Sequence, residues 1–270
     1  MKQLWAATYG KHRYLSLFSG QVPQLEGFEH EFQDLDPEKG FIYIDRVCCR
    51  IPDAINDLHA NKSAGDKQGK RSRSRGIQRS LTPHLDCCPH GPFPDRSKPY
   101  PKWRPIQSFI ALTDTLEADQ GGFECVRGFH KEFASWASSR EGQVNRGGVL
   151  QPPPCVGDFT PIRPQQDAQV LQRVNHVSVP AGAAVFWDRK LPHANAAKNT
   201  SQQCRQVVYC GLIPYCEMNT NFAAHQLQKL SLRIKPTDQW VAQEERQEVA
   251  KDGMKWSELG LQLTGQLPWN

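Results

Sequence analysis

The chain has 270 residues, of which 38% are hydrophobic and 23% are charged, and its formal net charge is +5 at pH 7. This length can bury a sizeable core, so we expect one domain over residues 1–270. The apolar runs are short and interrupted, which argues against a membrane span. The first residues lack the apolar core of a secretory signal, and the last are not a peroxisomal address. We therefore expect a cytoplasmic protein, with a nuclear location left open.

The nine cysteines are an odd number, and no two of them form a Cys-x-x-Cys pair. Their scatter argues against a structural zinc module and favours reduced thiols, several of them buried as small hydrophobic side chains.

Hydrophobic periodicity predicts many short strands framed by helices. Such strands, separated by Gly and Pro turns, predict a mainly β fold with helical buttresses, namely a double-stranded β-helix (jelly roll, cupin-like). Residues 221–270 read as a C-terminal helical extension. The predicted helices are 2–19, 54–61 and 129–138, and the predicted strands are 41–47, 104–114, 122–126, 174–179, 183–188 and 205–214.

A flexible basic loop is predicted at residues 60–80. Its segment 62–79 holds seven basic residues and one acid, a local charge of +6, so the rest of the +5 chain carries about −1. Three interpretations stay open: a solvated insertion, a mobile lid that attracts an anionic substrate, and a nuclear-localisation or nucleic-acid patch. The loop has no aromatic residues on which bases could stack, which argues against nucleic acid.

The most informative motif is His84-Leu85-Asp86, which is followed far downstream by His193. In a strand, residues i and i+2 point to the same side, so His84 and Asp86 can bind one metal together. Two imidazoles and one carboxylate are the ligand set of non-haem Fe(II) sites that keep coordination positions open. His193 is expected just after the strand 183–188, at the mouth of a barrel.

Arg205 comes twelve residues after His193, in a β-branched segment that predicts a buried strand. A buried arginine needs an anionic partner, and its planar guanidinium matches a carboxylate with two hydrogen bonds. Arg205 is therefore placed to hold the far carboxylate of a dicarboxylic co-substrate.

With these residues in place, the chain resembles the phytanoyl-CoA dioxygenase-like family of Fe(II)/2-oxoglutarate oxygenases. The resemblance covers roughly residues 1–215. One departure is Arg127-Gly128-Phe129-His130, where the common pattern has Pro-Gly-Ser-His. The matching stretches are Ile106–Asp114, Gly121–Lys131, Phe186–Asn195 and Asn199–Arg205.

The resemblance implies that His84, Asp86 and His193 bind iron and that Arg205 binds 2-oxoglutarate. Asn195 either supports the co-substrate or is an ordinary turn residue. The presence of Asp86 favours hydroxylation over halogenation, since related halogenases lack this carboxylate.

Three further residues lie close to the predicted ligands: Cys87, Cys88 and His90. They either pack within the loop, or one of them matters for the substrate or for redox sensitivity. Trp103, Phe109 and Trp187 are expected mainly in the core, with a pocket role as the alternative.

The leading hypothesis is an Fe(II)- and 2-oxoglutarate-dependent dioxygenase that uses O2 to hydroxylate a small or medium organic substrate, with an anionic one suggested by the basic loop. The alternatives are a non-catalytic metal-binding jelly-roll protein and a nucleic-acid-modifying oxygenase that uses the basic loop. The sequence predicts no oligomeric state.

Overall fold

A computed structural model describes residues 1–9, 36–58, 78, 80–89, 100–139, 143–144, 150–151, 159–232 and 255–269. The chain forms two compact units. The first comprises Met1–Asp45, Asp95–Ile106 and Cys210–Asn270, and the second comprises Arg46–Pro94 and Gln107–Tyr209.

The described residues are mainly antiparallel β-sheet with a few helices. The strands are β1 (Asp36–Tyr43), β2 (Val47–Arg50), β3 (His84–Leu85), β4 (Ile106–Ala111), β5 (Phe123–Cys125), β6 (Gln143–Val144), β7 (Leu150–Gln151), β8 (Thr160–Pro161), β9 (Asn175–His176), β10 (Ala184–Asp188), β11 (His193–Asn195), β12 (Arg205–Tyr209) and β13 (Gly211–Tyr215). The α-helices are Lys2–Tyr9, Phe133–Ser139, Ala168–Leu171, Glu217–Ser231 and Glu258–Leu263, with a 3-10 helix at Phe129–Lys131; residues 53–58 are also helical.

The first unit is built on the pairing of β1 with β13. Phe41 and Ile213 from these strands pack with Ala223 of the helix Glu217–Ser231. Asn219 of that helix is fully buried, and its amide donates to the carbonyl of Pro214 in β13. The helix is thereby attached to the sheet through both apolar and polar contacts.

The second unit contains two larger sheets, with strand orders β10-β4-β12-β2 and β8-β3-β11-β5-β9. Phe109 and Val207 from the first sheet share one buried cluster with Phe123 and Cys125 from the second. The two sheets therefore pack face to face around a common apolar core.

A second cluster in this unit lies beneath the helix Phe133–Ser139. Leu85, Val126, Phe129 and Ile162 are each at most 1% exposed there. Leu85 lies between the predicted metal ligands His84 and Asp86, so this cluster anchors the strand that carries them.

The mainly β prediction is confirmed, but several boundaries differ. The predicted strand 205–214 is two strands that separate at Cys210, because β12 pairs with β2 and β4 whereas β13 pairs with β1. The predicted strand 41–47 is likewise divided between β1 and β2. The last long helix begins at Glu217, four residues before the predicted start.

Some predicted segments fall outside the described residues. These are most of the basic loop 62–79, the second half of the helix 2–19, and residues 238–251 of the C-terminal extension. Within the described part of the chain, no helix is both long and apolar enough to cross a membrane.

Candidate metal centre

The two predicted histidine ligands lie on neighbouring strands. β3 and β11 are antiparallel, and His84 is directly opposite His193. Opposed residues in an antiparallel pair place their side chains on the same face of the sheet. The ring centroids of His84 and His193 are accordingly 4.6 Å apart. His193 follows β10, the strand predicted at 183–188, and is itself the first residue of β11.

Asp86 completes the group at the end of β3. Its backbone N–H donates to the carbonyl of Arg189 at 3.0 Å, which holds the turn after β3 against the segment that leads into β11. His84, Asp86 and His193 each offer one ligand atom, and the three atoms lie within 4.8 Å of one another. Among the described residues, this is the one group of three or more such side chains that could hold a metal ion.

The distances fit a shared cation better than direct hydrogen bonds. The His84 Nε2 atom is 3.6 Å from Asp86 Oδ1, and the His193 Nε2 atom is 3.4 Å from Asp86 Oδ2. Both distances exceed the usual range for an N–H···O hydrogen bond. Adjacent ligands that each lie about 2.1 Å from one ion are separated by roughly 3 Å, which is close to the spacing observed here.

Both imidazoles are oriented through their other nitrogen. Nδ1 of His84 lies 2.9 Å from the carbonyl of Thr82, and Nδ1 of His193 lies 2.9 Å from the carbonyl of Leu191. A carbonyl only accepts, so each Nδ1 carries a proton, and Nε2 is the nitrogen that a neutral imidazole in this orientation would present toward Asp86. This arrangement is typical of metal-binding histidines, whose second nitrogen donates to a backbone carbonyl or carboxylate.

Electrostatics keep His84 in the form that can bind a metal. Burial lowers the pKa of His84, and the neighbouring His193 lowers it further, against the opposing effects of Asp86 and the Thr82 carbonyl. The imidazole is therefore neutral at pH 7, and its Nε2 lone pair is available for coordination.

Gln107 orients the carboxylate. This residue of β4 is 4% exposed, and its side-chain amide donates to Oδ2 of Asp86. The contact crosses from one sheet of the unit to the other. Gln107 was not among the predicted site residues; the available signal was a long polar side chain within the largely buried strand Ile106–Ala111.

Arg205 lies in β12, on the sheet that also carries Gln107, and is 2% exposed. Its Nη1 donates weakly to the Cys48 sulfur at 3.5 Å, and its guanidinium lies over the Phe109 ring at 5.3 Å. Its Nη2 is buried and finds no hydrogen-bond partner within the described part of the chain.

Asn195 and Tyr209 connect Arg205 with the strand that carries His193. The Asn195 amide donates to the Tyr209 hydroxyl at 3.4 Å, and Arg205 lies close enough to Tyr209 to influence its pKa. Because Asn195 is two residues after His193, both side chains lie on the same side of β11. Burial raises the pKa of Tyr209, as does Cys48, although Arg205 opposes the shift. Tyr209 is therefore a neutral hydroxyl that can donate a hydrogen bond.

Aromatic rings enclose the histidines. Phe159 stacks on His84 with ring centroids 4.7 Å apart, and Trp187 lies 5.2 Å from His193. Phe109 is in the core cluster with Trp187. Trp103, by contrast, belongs to the first unit, where its backbone N–H donates to Asn219.

The other candidates near the motif differ in exposure. Cys87 is 2% exposed, and burial raises its pKa to about 12, so it is an unreactive thiol at neutral pH. Cys88 is half-buried. His90 lies outside the described residues.

Comparison with known proteins gives one family match. The Gig2-like family model matches residues 162–261, which is less than half of the chain. This range includes His193, Asn195 and Arg205 but not His84 or Asp86. No curated protein matches the chain.

Solved structures resemble the fold. GlcNAc Inducible Gene 2 from Candida albicans superposes with a TM-score of 0.53 at 16% identity, covering 75% of this chain and 49% of that protein. Two structures of the hypothetical protein JW0805 from Escherichia coli give a TM-score of 0.52 at 17% identity, covering 86% and 87% of this chain and 60% of theirs. The chain thus spans less than two thirds of the length of these proteins. At such identities the likeness concerns the fold alone.

The assignment to the phytanoyl-CoA dioxygenase-like family is wrong, because the family model that matches is Gig2-like. That assignment was based on short stretches around a ligand pattern. Such a pattern indicates a type of site and does not identify a family. The departure at Arg127-Gly128-Phe129-His130 has a structural basis here. Phe129 is fully buried in the cluster beneath the helix Phe133–Ser139, a position that a serine could not fill.

Proposed function

We propose that the protein is an Fe(II)- and 2-oxoglutarate-dependent dioxygenase in which His84, Asp86 and His193 bind the metal. The observation that carries the proposal is the convergence of two oriented Nε2 atoms and one carboxylate within 4.8 Å. Two histidines and one carboxylate leave three positions of an octahedral ion for other ligands. When bound, Fe(II) would supply the site at which O2 is activated to hydroxylate a C–H bond of an organic substrate.

The protein's own groups would hold this site in shape. The carbonyls of Thr82 and Leu191 fix the two imidazoles, and Gln107 fixes the Asp86 carboxylate. Such contacts keep the ligand side chains in place before the ion binds, so these side chains lose little conformational freedom when it does.

Arg205 would hold the distal carboxylate of 2-oxoglutarate. Its unpaired Nη2 is a buried cationic donor, and a carboxylate is the anion whose geometry matches a guanidinium. The neutral Tyr209 hydroxyl can donate to the same carboxylate, and Asn195 holds that hydroxyl in position. Aromatic rings beside the histidines would limit the access of water to the reacting centre.

We further propose that the two facing sheets of the second unit form the double-stranded β-helix expected from the sequence. In support, β3 and β11 lie in one sheet and β12 lies in the other, so a ligand between the sheets could contact both the metal ligands and Arg205.

Anaerobic titration tests the proposal directly. We expect the wild-type protein to bind one Fe(II) and then 2-oxoglutarate, with a visible charge-transfer absorption that requires both. The variants His84→Ala and Asp86→Ala should lose the metal while keeping the circular dichroism spectrum of the folded protein. A folded wild-type chain that binds neither Fe(II) nor 2-oxoglutarate would contradict the proposal.

Arg205→Met separates the co-substrate site from the metal site. The variant should retain Fe(II) but bind 2-oxoglutarate about 100-fold more weakly, corresponding to roughly 2.7 kcal/mol. The exposed Arg46→Met is the matched control and should leave both affinities unchanged. Equal 2-oxoglutarate affinity in the wild-type protein and both variants would show that Arg205 does not bind the co-substrate.

Activity measurements distinguish the alternatives. Succinate formed from 2-oxoglutarate with Fe(II) and O2 would exclude the non-catalytic metal-binding alternative. Deletion of residues 62–79 tests the nucleic-acid alternative. If activity survives the deletion and does not depend on salt, the basic loop has no role in it.

A further inference from the structure

Two cysteines lie at the end of the strand ladder that carries Arg205. Arg50 of β2 is opposite Arg205 of β12, and Cys49 is opposite Gln206. Side chains alternate along a strand, so the two buried arginines share one face and Cys49 shares the other face with Gln206. Cys204 directly precedes β12, two residues before Gln206. It therefore reaches the same outer face as Cys49.

The two cysteines are neighbours on an accessible part of the surface. Cys49 is exposed and Cys204 is half-buried. Burial raises the pKa of Cys204, and the neighbouring Cys49 raises it further. Cys204 is thus held as a neutral thiol, and the exposed Cys49 sulfur is the one that an oxidant in solution reaches first.

A buried amide keeps the two chain segments together. Asn199 is fully buried, and its Nδ2 donates both to the carbonyl of Arg50 at 3.1 Å and to the carbonyl of Gln203 at 3.0 Å. Arg50 follows Cys49, and Gln203 precedes Cys204. One side chain therefore ties together the backbones on which both thiols are carried.

We propose that Cys49 and Cys204 form a reversible thiol–disulfide site that is oxidised by hydroperoxides such as hydrogen peroxide. The Cys49 sulfur attacks a peroxide oxygen, the O–O bond breaks, and a sulfenic acid and one water are formed. The Cys204 sulfur then displaces the hydroxyl group from Cys49, forming the S–S bond and a second water. Two thiols have lost two electrons and two protons to one peroxide.

The location leaves the chain room to adjust as the bond forms. The sulfur atoms must approach to about 2.05 Å. Cys204 lies outside β12, beyond the last ladder pair Arg50–Arg205, so its backbone can adjust without breaking a ladder hydrogen bond. Cys48 is excluded as the partner because it is on the inner side of β2, where its sulfur contacts Arg205.

Mass spectrometry of the full-length protein tests the site without any metal. After brief hydrogen peroxide treatment, alkylation and proteolysis, we expect a cross-linked peptide pair containing Cys49 and Cys204 that dithiothreitol removes. Cys49→Ser and Cys204→Ser should each lose it completely. Cys210→Ser is the matched control, a half-buried thiol outside the pair, and should retain it.

Sulfenic acid trapping orders the two steps. In Cys204→Ser the sulfenic acid has no resolving thiol, so labelling of Cys49 by dimedone should increase relative to the wild-type protein. Recovery of Cys49 and Cys204 as unmodified thiols or as separate sulfinic acids in the wild-type protein would overturn the proposal. So would a cross-link between either of them and another cysteine.

Discussion

Gln107 shows how one side chain can matter to the candidate site without belonging to a ligand pattern. It is buried in β4, and its amide donates to the Asp86 oxygen that faces His193. A carboxylate ligand with a fixed orientation loses less freedom when it binds an ion. We therefore regard Gln107 as a positioning residue for the proposed metal centre.

Gln107→Leu should weaken Fe(II) binding by about 10- to 100-fold, as is typical when a group that orients a metal ligand is lost. Isothermal titration measures the affinity, and circular dichroism checks the fold. The exposed Gln206→Leu on β12 is the control and should bind Fe(II) like the wild-type protein. Identical affinities for both variants would show that Gln107 has only a packing role.

Thiol reactivity near the motif follows from burial. Cys87 has a pKa raised to about 12, so roughly one molecule in 10,000 carries the reactive thiolate at pH 8. Under native conditions at this pH, iodoacetamide should label the exposed Cys49 and leave Cys87 unmodified until the protein is denatured. Rapid native labelling of Cys87, quantified by peptide mass spectrometry, would contradict this assignment.

At the scale of elements, the short strands β3 and β11 position the candidate site because each has a buried anchor. Leu85 of β3 is fully buried beside Phe129, and Ala194 of β11 is 4% exposed. The flanking histidines consequently point away from these anchors toward the opposite side of the strands. The 3-10 helix that begins at Phe129 thus supports β3, the strand that carries His84.

Phe129→Ala should destabilise the second unit by about 3–5 kcal/mol, because it removes a fully buried ring that packs against Phe133 and Trp136. Urea denaturation monitored by tryptophan fluorescence measures the effect. Phe186 of β10 is 47% exposed, so Phe186→Ala should cost about 1 kcal/mol or less. Equal losses of unfolding free energy in the two variants would show that Phe129 does not anchor the 3-10 helix.

At the scale of the whole molecule, metal binding and stability are linked. The three candidate ligands all belong to the second unit. An ion that binds only the folded chain stabilises that unit by about 2.7 kcal/mol at 100 times its dissociation constant. For a unit of this size, the gain corresponds to an increase in melting temperature of roughly 5–10 °C.

Differential scanning calorimetry under anaerobic conditions should show this increase with Fe(II), and a chelator should reverse it. His193→Ala should abolish the increase, while the exposed His130→Ala should retain it. A shift of the same size in His193→Ala would place the ion elsewhere.

The sequence by itself determined the candidate metal ligands and the mainly β type of fold. Period-two spacing places His84 and Asp86 on one side of a strand, and short strands between Gly and Pro turns indicate a mainly β chain. Both signals are local, so they can be read without knowing which strands are neighbours. The same local character explains the wrong family assignment, since a short ligand pattern with short flanking stretches is too little sequence to identify a family.

Only the tertiary structure decided which residues meet. The pairing of His84 with His193, the hydrogen bond from Gln107 to Asp86 and the strand register that brings Cys49 near Cys204 all join residues far apart in the chain. Such contacts depend on strand order and register, which are fixed by the burial of both sheets against each other. The division of 205–214 into β12 and β13 has the same cause, because the two halves pair with different strands.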